Sequence, residues 1–143
     1  MVLTKRTLLA TALAAATFAA ARAQAWPAKP IRLIVPLAPG ATADIVARMI
    51  AEELGKSLGQ TVVVDNKTGA GGTIATAEAA RSLADGYTLV LVSQGTMVFN
   101  IGLYKSPGYD PLKDLTMITA TGGVSNVLVV HPDNPAKSVA DLL

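Results

Sequence analysis

Cysteine is absent from this 143-residue chain. That excludes a disulfide, a thiolate nucleophile, a thiolate metal site and a lipid-anchored cysteine. Histidine occurs once, at His131 before Pro132. A single imidazole with no thiol and no second histidine builds neither a zinc site nor a nucleophile pair. Aromatic residues are scarce (4%) and charged ones few (15%), whereas 51% of the chain is hydrophobic. This lies far from the polar, highly charged composition of a disordered chain, and the length suffices to bury a core without staples. No apolar run is long enough to cross a bilayer: the most apolar stretch, Leu8 to Ala21, covers 14 residues against the ~20 required.

Other chemistry is excluded by near misses. Gly123-x-Ser125 begins a nucleophile elbow, but Val127 stands where the second glycine belongs. Asp110 and Asp114 flank Pro111 in a turn, where two solvated acids are expected. Gly69-Ala70-Gly71-Gly72 lies between an expected strand and helix, as a dinucleotide fingerprint would. Its third glycine would be Ile74, and no acid follows about 20 residues on, near Val92 and Ser93. No phosphate-binding P-loop occurs. Catalytic residues, metal ligands and a cofactor are therefore not expected.

The first 25 residues differ from the rest. They carry three of the 12 basic side chains (Lys5, Arg6, Arg22) and none of the 10 acidic ones. A basic start, a short apolar stretch and the small-x-small triplets ending at Ala23 and Ala25 follow the plan of a secretory signal peptide. Residues 1–25 are expected to be a leader. Lys-Arg is not a twin arginine, so the general secretory route is expected. Beyond the leader nine basic residues face ten acidic ones, so the positive balance of the whole chain is no sign of nucleic acid as a partner.

After the leader, strands and helices alternate. Ile31 to Pro36 reads as a buried strand. A helix over Ala43 to Leu58 follows, with Thr42 as its cap, Gly59 past its end and Ile45, Val46, Met49, Ile50, Leu54 and Leu58 on one face. Thr61 to Asp65 reads as a second buried strand, Thr73 to Ala84 as an alanine-rich helix and Tyr87 to Val92 as a third strand. A short helical segment is expected around Asn100 to Tyr104, and two more strands over Leu115 to Ala120 and Asn126 to Pro132. The pattern implies an α/β fold with a mainly parallel sheet flanked by helices. Ser138-x-x-Asp141 forms a capping box and announces a helix of which only Val139 to Leu143 follow. The chain is therefore expected to be the N-terminal portion of a longer protein.

Three loops share one position, each after the carboxyl end of a parallel strand and before a helix. Ligands in open α/β sheets bind at that edge, and helix N-termini there favour a small anion. In the first loop the candidate ligand-binding residues are Leu37, Pro39, Gly40, Ala41, Thr42 and Asp44; in the second they are Gly69, Ala70, Gly71 and Thr73; in the third, Ser93, Gln94 and Thr96. Glycines admit a ligand to the backbone, and Thr42, Thr73, Ser93 and Thr96 bring neutral hydroxyl donors. Asp44 would repel an anion, so any site role runs through a ligand's amino or hydroxyl group.

These segments also carry a resemblance. WPAKPIRLIVP, PG-x-x-x-DIVAR (Pro39 to Arg48), LGQTVVVDNKTGAGG (Leu58 to Gly72), DGYTLVLVS (Asp85 to Ser93), N-x-x-LY (Asn100 to Tyr104), YDPLKDL (Tyr109 to Leu115) and NVLVVHPDNPAKSVADL (Asn126 to Leu142) resemble the Bug family. These are the TctC-type periplasmic solute receptors of tripartite tricarboxylate transporters. The resemblance implies a type II periplasmic-binding-protein fold of two lobes closing on a carboxylate, with residues 26–124 in lobe 1 and 125–143 crossing into lobe 2. It implies a soluble periplasmic receptor that captures a di- or tricarboxylate, aromatic acid or acidic amino acid for membrane permease subunits. Gly40-Ala41 departs from the family's usual Gly-Gly, and Asn100-Ile101 from its Asn-Pro. A sensor for a membrane signalling partner is the alternative function, and an exported α/β enzyme the more distant one.

Overall fold

The computed structural model describes residues 25–143 other than Val124 and Asn126. The expected leader and its cleavage points fall outside these residues, apart from Ala25. The central strand β1, Ile31–Val35, is joined by the helix α1, Thr42–Leu58, to β2, Val62–Asn66. A short 3₁₀ turn, Ala70–Gly72, opens the helix α2, Thr73–Ala80, which leads to β3, Thr88–Val90. A π-helical segment, Gly95–Phe99, continues directly into α3, Asn100–Leu103, and α4 spans Val139–Leu142.

All pairings are parallel and the strand order is β2-β1-β3. Right-handed crossovers that lead from β1 to one neighbour and then back past it to the other place successive helices on opposite faces. The side chains agree. Leu33 and Val35 point one way, onto Ala47 and Ala51 of α1, while Val62, Val64, Leu89 and Leu91 extend this layer across the sheet. Arg32 and Ile34 point the other way, and the Arg32 guanidinium reaches Glu78 of α2 at 2.7 Å and also Asp65 of β2. The expected α/β class, a parallel sheet with helices on both faces, is what forms.

Several local expectations change. In α1 the buried residues are Asp44, Ala47 and Ala51, while Ile45 and Met49 are 54% and 65% exposed. The helix is rotated so that its smallest side chains meet the sheet, because only they permit close approach while Asp44 reaches back into the first loop. Val46, Ile50, Leu54 and Leu58 flank that seam, half-buried. Thr42 does not cap the helix. The cap position is Ala41 with no side-chain bond, and the Asp44 carboxylate in the first turn instead accepts the Gly40 N–H from the loop before it. Gly59, left-handed at the C-terminus, is where it was expected.

Nor is β2 buried on both sides. It is an edge strand, α2 covers β1 and β3, and Val63 on the open face is 49% exposed. The helix α2 ends four residues early, at Ala80, because the Arg81 N–H is shared between the Ala77 and Glu78 carbonyls and the Ser82 hydroxyl also takes the Glu78 carbonyl at 3.0 Å. The segments 115–120 and 127–132 are not strands among the described residues. Extended backbone becomes a strand only when a neighbour takes up its N–H and C=O groups, and neither segment pairs with the three-stranded sheet. The capping box forms as expected: Ser138 Oγ accepts the Asp141 N–H at 3.2 Å, and Asp141 Oδ2 accepts the Ser138 N–H at 2.8 Å.

The amino edge of the sheet is closed. Trp26 packs on Tyr87 with ring centroids 6.0 Å apart. The Tyr87 hydroxyl accepts the Ala28 N–H at 2.7 Å, and Lys29 lies 4.2 Å over the Tyr87 ring. The carboxyl edge carries the three loops.

Candidate functional site

In a doubly wound sheet of order β2-β1-β3 the connections diverge between β1 and β3, and the crevice lies there at the carboxyl ends. The loops after β1 and β3 flank that crevice, and the loop after β2 joins them from behind. The three meet at Gly72. A β-carbon there would stand 2.8 Å from Thr96 Cγ2 and 3.0 Å from Pro36 Cβ, so residues from all three loops converge on one absent side chain.

Loop one is set by Asp44, which is 3% exposed. Its Oδ2 accepts the Gly40 N–H at 2.8 Å and Arg48 Nε at 3.0 Å, and its Oδ1 accepts Asn66 Nδ2 at 3.0 Å. The Arg48 guanidinium, then the Gly40 N–H and Asn66, hold its carboxyl at about 2, well below the usual carboxylate range. Asp44 thus accepts three hydrogen bonds within the protein, tying loop one to the end of β2. Asn66 also donates to the Leu37 carbonyl at 3.0 Å. Leu37, Pro39, Gly40 and Thr42 are exposed and Ala41 is half-buried. Among the described residues the N–H groups of Thr42 and Ala43 have no acceptor in the protein, as the first turn of a helix requires.

Loop two turns through four residues of positive φ, Gly69, Ala70, Gly71 and Gly72. Its carbonyls all find donors inside the protein. Gly69 O accepts the Gly72 N–H at 2.9 Å; Ala70 O accepts the Thr73 N–H and, at 2.8 Å, the Thr73 hydroxyl. Gly71 O accepts Asn100 Nδ2 at 2.9 Å, and Gly72 O accepts the Thr76 hydroxyl at 2.9 Å. A trans peptide points its N–H opposite to its C=O. With the Gly69 and Ala70 carbonyls turned inward, the N–H groups of Ala70 and Gly71 are directed outward from an exposed loop, suited to an anion's oxygens.

Loop three presents exposed Ser93 and Gln94. Thr96 is buried, its hydroxyl donating to Ser93 O at 3.1 Å and accepting the Ser93 N–H at 3.0 Å. Thr96 O in turn accepts the hydroxyl of buried Tyr109. The single hydroxyl proton of Thr73 and of Thr96 is thus used inside the loops. Among the described residues the donors left at this edge include backbone N–H groups, the hydroxyls of the exposed Thr42 and Ser93 and the side-chain amide of the exposed Gln94. Cations add little: Arg48 is paired with Asp44, and Lys67 with Glu78. A groove of about 680 Å³ between α1 and β2 lies elsewhere, running toward Gly59, Gln60 and Thr61 at the amino end of β2. Among the described residues there is no cluster of acids and histidine fit to hold a metal, and no helix is long and apolar enough to cross a membrane.

The sequence alone did not place Asn66, Asn100 or Tyr109 among the candidate ligand-binding residues. One signal was available: Thr96 and Asn100 are polar at i and i+4 in the otherwise apolar stretch from Thr96 to Leu103. The structure buries these two and exposes Val98, Phe99, Ile101 and Leu103, the inverse of an ordinary amphipathic helix.

Comparison with known proteins agrees with this architecture. Protein BugT of Bordetella pertussis is 45% identical over 122 residues, which is 85% of this chain and 37% of BugT. The chain thus spans about two fifths of that relative's length. The solved periplasmic binding protein BugD is similar with a TM-score of 0.60 and 46% identity, over 62% of this chain and 29% of that one. MatC from Rhodopseudomonas palustris, solved with bound malate, has a TM-score of 0.60 and 38% identity over 62% of this chain and 30% of MatC. Residues 46–143 match the tripartite tricarboxylate transporter family receptor, TctC. On that match, the chain belongs to the TctC receptor family.

Proposed function

We propose that this chain supplies the carboxylate-holding loops of a periplasmic solute receptor that delivers its ligand to the membrane subunits of a tripartite tricarboxylate-type transporter. The observation that carries this is the inward satisfaction of every loop-two carbonyl, which leaves the Ala70 and Gly71 N–H groups for a guest. The helix N-terminus at Thr42 and the hydroxyl of Ser93 add donors across the crevice. A carboxylate fits donors without a strong local cation, since neutral N–H and O–H groups hold it while leaving release cheap. The malate bound to MatC supports a small carboxylate as the ligand class. On the same reading residues 26–124 contribute to the first lobe and 125–143 lead toward the second, consistent with the share of BugT that the chain covers.

Calorimetry of the exported protein against malate, citrate, benzoate and glutamate tests this. At least one acid is expected to bind with micromolar or tighter affinity, about −8 kcal/mol. Silence across the panel, with neutral apolar compounds binding instead, would exclude a carboxylate receptor.

A further inference from the structure

Asn100 is 5% exposed and opens α3, inside a stretch whose apolar residues face outward. A polar amide occupies a buried place that a leucine would fill more cheaply, so its hydrogen bond is the reason to look for a role. The partner is the Gly71 carbonyl, 2.9 Å away. A carbonyl only accepts, so the amide nitrogen faces it.

That one bond fixes the orientation of the Gly71–Gly72 peptide. On the opposite side of the same planar unit the Gly72 N–H donates to Gly69 O at 2.9 Å, closing the turn. Gly71 and Gly72 have no β-carbon, so sterics do little to resist rotation of the peptide between them. A flip would free the Gly72 N–H, turn the Gly71 carbonyl toward Gly69 O and open the turn that aims Ala70 and Gly71 outward.

We propose that Asn100 is a positioning residue: by holding the Gly71 carbonyl it locks the Gly71–Gly72 peptide and so the outward aim of the Ala70 and Gly71 N–H groups. It acts through the backbone and need not touch the ligand. Its relevance to binding rests on the carboxylate function proposed above, whereas the lock itself does not.

Two variants separate the donor from the burial. Asn100→Leu keeps a side chain of similar size without a donor; Asn100→Asp keeps the shape but presents only acceptors to a carbonyl. Native-state hydrogen exchange of the Gly72 amide is expected to accelerate about tenfold or more in both, with the β1 amides changing far less. Ile34→Val, which weakens the central strand without touching the loop, should change all these amides together. If Gly72 exchange in the Asn100 variants merely tracks the β1 amides, as in Ile34→Val, there is no lock. In parallel, calorimetry with malate and citrate is expected to show about tenfold weaker binding in the variants. Unchanged affinity alongside a loosened Gly72 overturns the positioning role. Should the unmodified protein bind neither acid while Gly72 responds as expected, the carboxylate function fails and the lock stands.

Discussion

At the scale of single residues, Gly72 stands where three loops meet, and the room its missing side chain leaves is occupied by Pro36 and Thr96. An alanine there faces two costs, a left-handed φ of +88° and contacts at 2.8 and 3.0 Å. Gly40 has φ +83° with nothing within 4 Å of an added β-carbon, so its alanine variant faces only the first. Urea denaturation is expected to give a loss of about 1–2 kcal/mol for Gly40→Ala and about 3 kcal/mol for Gly72→Ala. Equal losses would mean that the loops do not converge on Gly72. Asp44 offers a second test. Its carboxyl is held at about 2 in the folded chain by Arg48, the Gly40 N–H and Asn66, below its unfolded value near 4. A depressed folded value gives stability that is fully present above about pH 4 and is lost as pH falls toward 2. Thermal unfolding of the unmodified chain should weaken across that window, and Asp44→Asn should lower Tm at neutral pH and flatten the acid limb. A variant whose Tm curve parallels the original between pH 4 and 2 would remove Asp44 as the clamp.

The elements were legible from period and composition because hydrophobic spacing and turn chemistry are local. IRLIVP, the helix before Gly59 and the Ser138 capping box formed where the sequence placed them. The rotation of α1 was not legible. Spacing alone favoured the face with the large residues Ile45 and Met49, yet contact with the sheet selected Ala47 and Ala51. An expected consequence separates the two faces. Ala51→Leu, forced into the seam against Leu33 and Val35, should destabilise by about 1–3 kcal/mol. Met49→Ala should stay within about 0.5 kcal/mol, measured by the same denaturation. A larger loss for Met49→Ala than for Ala51→Leu would restore the face read from the sequence. The segments 115–120 and 127–132 carry the β-branched pattern of strands but do not pair, since pattern states a preference and pairing needs a neighbour's backbone.

For the whole molecule, the sequence by itself determined the α/β class, the polarity that gathers three loops at one edge of a parallel sheet, and the absence of thiol chemistry. These follow from residue types and periods, which are properties of adjacent positions. Only the tertiary structure decided how the loops are held. It engaged the Asp44 carboxylate as a clamp between loop one and β2, used the hydroxyls of Thr73 and Thr96 within the loops, and brought Asn100 to Gly71 across 29 positions of chain. Those roles depend on which donor meets which acceptor across the fold. Each polar side chain has few bonds to make, and which partner takes them is set by distances that no local pattern encodes.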